Sequence, residues 1–242
     1  MTIRRRCLAL LALALPFVAV AQAQAITPSG KAVTESRAAS DFKAVAFSLP
    51  GTLVLKQGPA APVMLEADDN LMPEIETVVE GGTLKIRFRR GIDVRGKTRI
   101  QVLVTVPELE SLAVAGSGDA LSESLKAGAL KIALSGSGSV RIAKLEAESL
   151  AASVAGSGSL RVAGRVGEVK ADIAGSGGVE AGRLEAARVR VAVAGSGNAT
   201  FWARESLDVA IAGSGDVRYY GDPVLTKKVA GYGPIKRLGP AP

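Results

Sequence analysis

Leu150-Ala151-Ala152-Ser153-Val154-Ala155-Gly156-Ser157-Gly158-Ser159-Leu160-Arg161-Val162 is the stretch that decides the fold. Leu150, Ala152 and Val154 alternate with smaller or polar residues, as do Leu160 and Val162. A period of two marks a strand with one buried face. Gly156 and Gly158 permit the positive φ of a sharp bend between the two strands. Gly-Ser-Gly recurs at 116–118, 136–138, 156–158, 175–177, 195–197 and 213–215, with a degenerate Gly231-Tyr232-Gly233. The first glycines are 20, 20, 19, 20, 18 and 18 residues apart. A fixed period in this range is the mark of a repeat architecture.

Around each turn the grammar is constant. Apolar residues lie two, four and six places before the first glycine, as in Leu130, Ile132, Leu134 and Val189, Val191, Val193. A second apolar pair follows, such as Val140, Ile142 and Ala199, Phe201, and Leu125, Leu145 and Leu184 then begin another wall. No unit can bury its own face, so the units must stack and pair equivalent strands in parallel, about 4.8 Å per coil. The expected fold is all-β, a right-handed parallel β-helix (β-solenoid) with coils of about 20 residues. A propeller blade needs about twice this period, a leucine-rich repeat needs an Asn or Cys ladder where Gly-Ser-Gly stands, and calcium-binding nonapeptides need a regular Asp.

Residues 1–25 read as a secretory signal peptide. Arg4, Arg5 and Arg6 precede an apolar run from Leu8 to Val20, and Ala-x-Ala sites end at Ala23 and Ala25. The rest of the chain has no apolar stretch long enough to form a transmembrane segment. Three of the 30 basic residues leave with the signal, so 27 remain against 23 acidic ones, a net +4 that gives no reason to expect nucleic acid. The expected destination is the periplasm, the outer-membrane surface or the extracellular space. Residues 26–40 lack periodicity and read as a flexible leader. Residues 41–236 form one domain, irregular over 41–115 with a hairpin turn at Glu80-Gly81-Gly82-Thr83, and regular over 116–236. Residues 237–242 are a tail. Lys227 falls at an inward position of the last unit, where a charge discourages further strand pairing.

The chain has no His, and its one Cys, Cys7, lies in the signal. Ser-His-Asp triads, Cys-His pairs and His or Cys zinc sites are therefore excluded, and no metal or cofactor is expected. Sugar hydrolysis needs two carboxylates about 5–10 Å apart. Asp119 and Asp216 are five coils apart, and Asp172 and Asp208 are two apart on neighbouring outward rows; the plainer reading of the latter pair is two solvated charges. The glycine turns could cradle an anion, but tight corners explain them as well.

Two surfaces carry more. One outward row reads Leu121, Arg141, Arg161, Glu180, Thr200, Arg218, Lys236, and beside it Trp202 and Tyr220 occur in consecutive coils. Stacked rings next to arginines can hold a sugar and an acidic group; the plainer reading is a solvated face with two rings covering the core. The second surface is Lys85, Arg87, Arg89, Arg90, Arg95, Lys97 and Arg99, opposed in the sequence only by Asp93. It could meet lipopolysaccharide or another anionic envelope polymer, or be a charged hairpin that discourages edge pairing.

The chain resembles the family described as putative auto-transporter adhesin, head GIN domain. The resemblance covers about residues 40–236 and rests on Ala67-Asp68-Asp69-Asn70-Leu71, Gly82-Thr83-Leu84-Lys85-Ile86, Val106-Pro107-Glu108-Leu109, the serial Gly-Ser-Gly turns and Tyr220-Gly221-Asp222-Pro223. It implies a right-handed β-helix in an exported bacterial protein and carries over no catalytic residues. The expected function is thus a non-enzymatic, adhesin-like binding module for a polysaccharide or lipopolysaccharide. The alternatives are a purely structural envelope protein and, third, a carbohydrate-active enzyme. Oligomeric state is left open.

Overall fold

The computed structural model describes residues 24–241. The expected signal peptide, except Gln24 and Ala25, lies outside the described residues. The strands are β1 (Gln24–Ile26), β2 (Ala32–Arg37), β3 (Ala44–Phe47), β4 (Thr52–Gln57), β5 (Val63–Asp68), β6 (Ile75–Glu80), β7 (Thr83–Phe88), β8 (Ile92–Val94) and β9 (Gln101–Val106). The regular coils follow: β10 (Ser111–Gly116), β11 (Asp119–Ser122), β12 (Leu125–Gly136), β13 (Ser139–Gly156), β14 (Ser159–Gly175), β15 (Gly178–Gly195), β16 (Asn198–Gly213), β17 (Asp216–Tyr220), β18 (Val224–Gly231) and β19 (Ile235–Gly239).

The repeat closes into a β-solenoid. Gly116, Gly136, Gly156, Gly175, Gly195, Gly213 and Gly231 pair one to the next in parallel. One wall precedes this corner and a second follows it. A third begins at Leu125, Leu145, Gly164 and Leu184, which also share a ladder. The alternating residues point inward as their period requires: Leu150, Ala152, Val154, Leu160 and Val162 are all buried. The corner demands glycine on two counts. Gly156 has φ +106°, and a Cβ there would lie 2.6 Å from the carbonyl oxygen of Gly136 in the coil below. The serine between the glycines hands its N–H down the stack: Ser157 donates to Gly136 O and Ser176 to Gly156 O, each at 2.9 Å. Those N–H groups are therefore committed to the coil below, which removes the basis for an anion cradle at the corner.

Coil order and chain order part company before residue 111. β3 pairs in parallel with β7 on one side and β10 on the other, and β4 likewise with β9 and β11. The coil of residues 44–57 is thus sandwiched between 83–106 and 111–122. Beyond it the stack is closed by antiparallel strands: β6 on β7 through the expected hairpin, β5 on β9, and β2 on β5.

Two expectations are corrected here. Residues 26–40 are not a free leader, because β2 lies antiparallel to β5 in register from Ala32↔Asp68 to Arg37↔Val63. Arg37 anchors it by donating to the carbonyls of Ile75 and Met72 and to Thr77 Oγ1. The tail is also shorter than expected, since β19 runs to Gly239 against β17. Among the described residues no helix is long and apolar enough to cross a membrane.

Candidate functional site

The outward row forms one continuous ladder: Leu121↔Arg141, Arg141↔Arg161, Arg161↔Glu180, Glu180↔Thr200, Thr200↔Arg218 and Arg218↔Lys236. Its charge is less free than its composition. Arg161 donates to both carboxylate oxygens of Glu180, at 2.7 and 3.1 Å, and Arg218 Nε to Asp216 Oδ2 at 2.8 Å. Arg141 has no carboxylate partner among the described residues. It stands three coils from Thr200, about 14 Å along the stack, so it does not belong to the surroundings of the aromatic pair.

Trp202 and Tyr220 are directly in register on consecutive coils, and both are half-buried. Gly182 makes room for the tyrosine ring. A Cβ on Gly182 would lie 3.2 Å from Tyr220 Cε2 and 3.1 Å from Thr200 Cγ2, so Tyr220 leans back across the Thr200 coil. A Cβ on Gly221 would clash with the carbonyl oxygen of Ala203, while its 3.5 Å to Trp202 Cδ1 is ordinary contact. Below the pair the same ladder runs Lys126, Glu146, Arg165, Glu185, then Trp202, so charge alternates up to the aromatic step. Glu185 is clamped from both sides: Arg165 Nη2 donates to Oε2 at 2.9 Å and Arg204 Nη1 to Oε1 at 3.0 Å. These contacts, Arg165's the larger, hold the Glu185 carboxyl below the usual carboxylate range. Arg183, beside Gly182, is exposed and has no carboxylate partner among the described residues. The clamp was not found from sequence. It depends on two register slips: one between Arg161 and Ala163 sets Arg165 opposite Glu185, and one between Ala181 and Glu185 brings Trp202 opposite Glu185 from the other side.

The second basic surface divides. Across the hairpin, Lys85 Nζ meets Glu80 at 2.6 Å and Arg87 Nε meets Glu76 at 3.2 Å, while Arg95 pairs with Asp93 at 3.1 Å. The expectation that only Asp93 opposes this cluster is thereby corrected, because antiparallel pairing sets Glu76 opposite Arg87. Arg89, Arg90, Lys97 and Arg99 are exposed and have no carboxylate partner among the described residues.

The carboxylates weighed for hydrolysis are dispersed. Asp172 lies near Lys170 and Asp208 near Arg190, each at 3.7 Å, with a full coil between the two acids. The described residues contain no His, Cys, Asp and Glu group suited to a metal ion. A cleft of about 920 Å3 opens near Asp41, Lys43, Pro107 and Lys131. Lys43 Nζ bridges Glu108 at 2.7 Å and Glu110 at 3.2 Å there. None of the candidate ligand-binding residues lines it, whereas Gly81 and Gly82 of the hairpin turn and the motif Val106-Pro107-Glu108-Leu109 do.

A solenoid whose charged and aromatic residues run in ladders along its outer walls defines a repeat protein that presents surfaces. Residues 41–223 match the family described as "Putative auto-transporter adhesin, head GIN domain", and the chain belongs to that family. A solved structure of a putative adhesin from Bacteroides fragilis is similar, with 28% identity, TM-score 0.84, and coverage of 88% of this chain and all of that one. A putative lipid binding protein from Parabacteroides distasonis has 27% identity and TM-score 0.74 over 89% of this chain and all of that one. A putative adhesin from Parabacteroides merdae, at 21% identity and TM-score 0.69 over 88% of this chain and 99% of that one, shares the fold. Among curated proteins, none matches this chain.

Proposed function

We propose that this protein is an exported binding module of the adhesin type, and that its ligand is an anionic glycan of the cell envelope, a lipopolysaccharide or acidic polysaccharide. The observation that carries this reading is the in-register pair Trp202 and Tyr220 on consecutive coils, with Gly182 leaving room for the tyrosine ring. Exposed Arg183 and the Arg218–Lys236 ladder flank the rings. Rings offer a flat apolar face to a sugar, and guanidinium groups pair with carboxylate or phosphate. The free half of the second surface, with Arg89 and Arg90, adds a long-range attraction to the same class of polymer. The family's name and the arginine-rich signal-like N-terminus support export.

A lipid headgroup is the second reading, favoured by the lipid-binding description of the Parabacteroides distasonis neighbour. Co-sedimentation of the protein with bead-coupled anionic polysaccharides, outer-membrane vesicles and lipopolysaccharide-free phospholipid vesicles separates the two. Glycan binding that weakens with salt and is lost in Trp202→Ala and Tyr220→Ala, with folding retained, is the expected result. Loss in Arg87→Ala/Arg89→Ala alone would move the site to the hairpin. Binding only to phospholipid vesicles favours lipid. No binding at low salt overturns the proposal in favour of a structural envelope role.

A further inference from the structure

The two ends of the solenoid are built differently. At one, the outermost strands are antiparallel, β6 on β7 and β2 on β5, each with that single ladder partner. At the other, β18 pairs only with β16 and β19 only with β17, so each presents an edge without a ladder partner among the described residues. Alternate N–H and C=O groups of a parallel strand point to each side, so such an edge is a template for another strand. The last coil also leaves apolar surface in water: Val224 is 75% exposed, Val229 44% and Tyr232 95%. Leu225 and Ile235 pack on the core but are only half-buried.

Its charge is one-sided. Lys227, Lys228, Lys236 and Arg237 are exposed, and the coil's one acid, Asp222, lies 3.5 Å from Arg237. Lys227 occupies a column that is apolar below it, Ile132, Ala152, Ala171, Val191 and Val209. Any strand added here must meet Lys227 between Leu225 and Val229, so the charge that discourages pairing with an apolar or basic strand leaves one with a carboxylate at that place favoured.

We infer that this edge docks an extended acidic β-segment of another protein, one placing a carboxylate against Lys227 between two apolar side chains. The other occupants fit less well. Two copies meeting at this edge would oppose Lys227 and Lys228 to their own kind. At the far end of a second copy, β6 turns Ile75, Thr77 and Val79 toward the core side, and the carboxylate of Glu35 on β2 is already paired with Arg37 at 2.9 Å. A membrane would leave two rows of backbone groups unsatisfied in hydrocarbon.

The test is amide NMR of the protein titrated with a blocked peptide Thr-Val-Thr-Glu-Thr-Val-Thr and with its Lys-for-Glu counterpart. The expected result is selective shifts of the Leu225–Ala230 amides with the Glu peptide, at least about tenfold weaker binding of the Lys peptide, and the reverse preference in Lys227→Glu. Absence of shifts at millimolar peptide, equal binding of the two peptides, or an unchanged preference in Lys227→Glu overturns it. So does dimerisation through this edge, or protection of the same amides by phosphatidylglycerol vesicles in preference to the Glu peptide.

Discussion

Asp119 Oδ1 accepts hydrogen bonds from both the N–H and the hydroxyl of Ser139 in the next coil, at 2.9 and 2.6 Å. Asp216 holds the equivalent place near the other end, where the next coil supplies Pro234, which has no N–H to give. Its Oδ1 is buried without a partner, while Oδ2 takes Arg218. One residue type at one repeat position thus does two different things. Asp119→Ala strands a part-buried N–H and is expected to cost about 1–2 kcal/mol. Asp216→Ala removes an orphaned oxygen and an ion pair whose arginine is exposed, and is expected to cost less than about 1 kcal/mol. Urea unfolding of both variants checks the order.

The corner glycines make a second contrast. Gly156→Ala combines a strained φ with a backbone contact that cannot relax without displacing the coil below. A loss of more than about 3 kcal/mol is expected. Gly81→Ala, at φ +57° with nothing within 4 Å of the added Cβ, is expected to cost about 1 kcal/mol. The shift in urea midpoint at unchanged slope measures each.

Arg37 tests the N-terminal strand. Its guanidinium ties β2 to the carbonyls of Ile75 and Met72. Arg37→Ala is expected to cost about 1.5–3 kcal/mol, the range for hydrogen bonds to a charged group. Limited trypsin digestion is expected to spare the Arg37–Ala38 bond in the wild type and to cut a neighbouring site sooner in the variant. Rapid cleavage at Arg37 in the wild type would mean that β2 is not held.

Glu185 sets a pH dependence. Because Arg165 and Arg204 hold its carboxyl low in the folded state, its contribution is present above the unfolded value of about 4.3 and is lost as pH falls through the folded value. The Glu185 carboxyl resonance is expected to titrate below its ordinary range, and to move upward in Arg165→Gln. An unchanged titration in that variant would assign the effect to Arg204.

The solenoid was legible in the sequence because its causes are local and repeated. A two-residue period settles which side chains are buried, and a glycine every 18–20 residues settles where the wall turns. Val189, Val191 and Val193 could hardly be satisfied in any other way. The backbone register of Trp202 with Tyr220 was legible for the same reason, since equal places in successive repeats become neighbours. The clamp on Glu185 was not, because it follows from irregularities inside β15, where the ladders to β14 and β16 shift register between Glu180 and Glu185.

Sequence by itself determined the periodic part of this protein: the inward columns, the corners, and the ladders that stacking makes of them. Tertiary structure alone decided the rest. It placed residues 44–57 between two later coils, drew β2 into the sheet, set Glu76 against Arg87, and left β18 and β19 with bare edges. The physical reason is range. A repeat specifies its neighbours through side chains a fixed distance along the chain, whereas the ends of the stack are specified by non-local pairings whose register no period encodes.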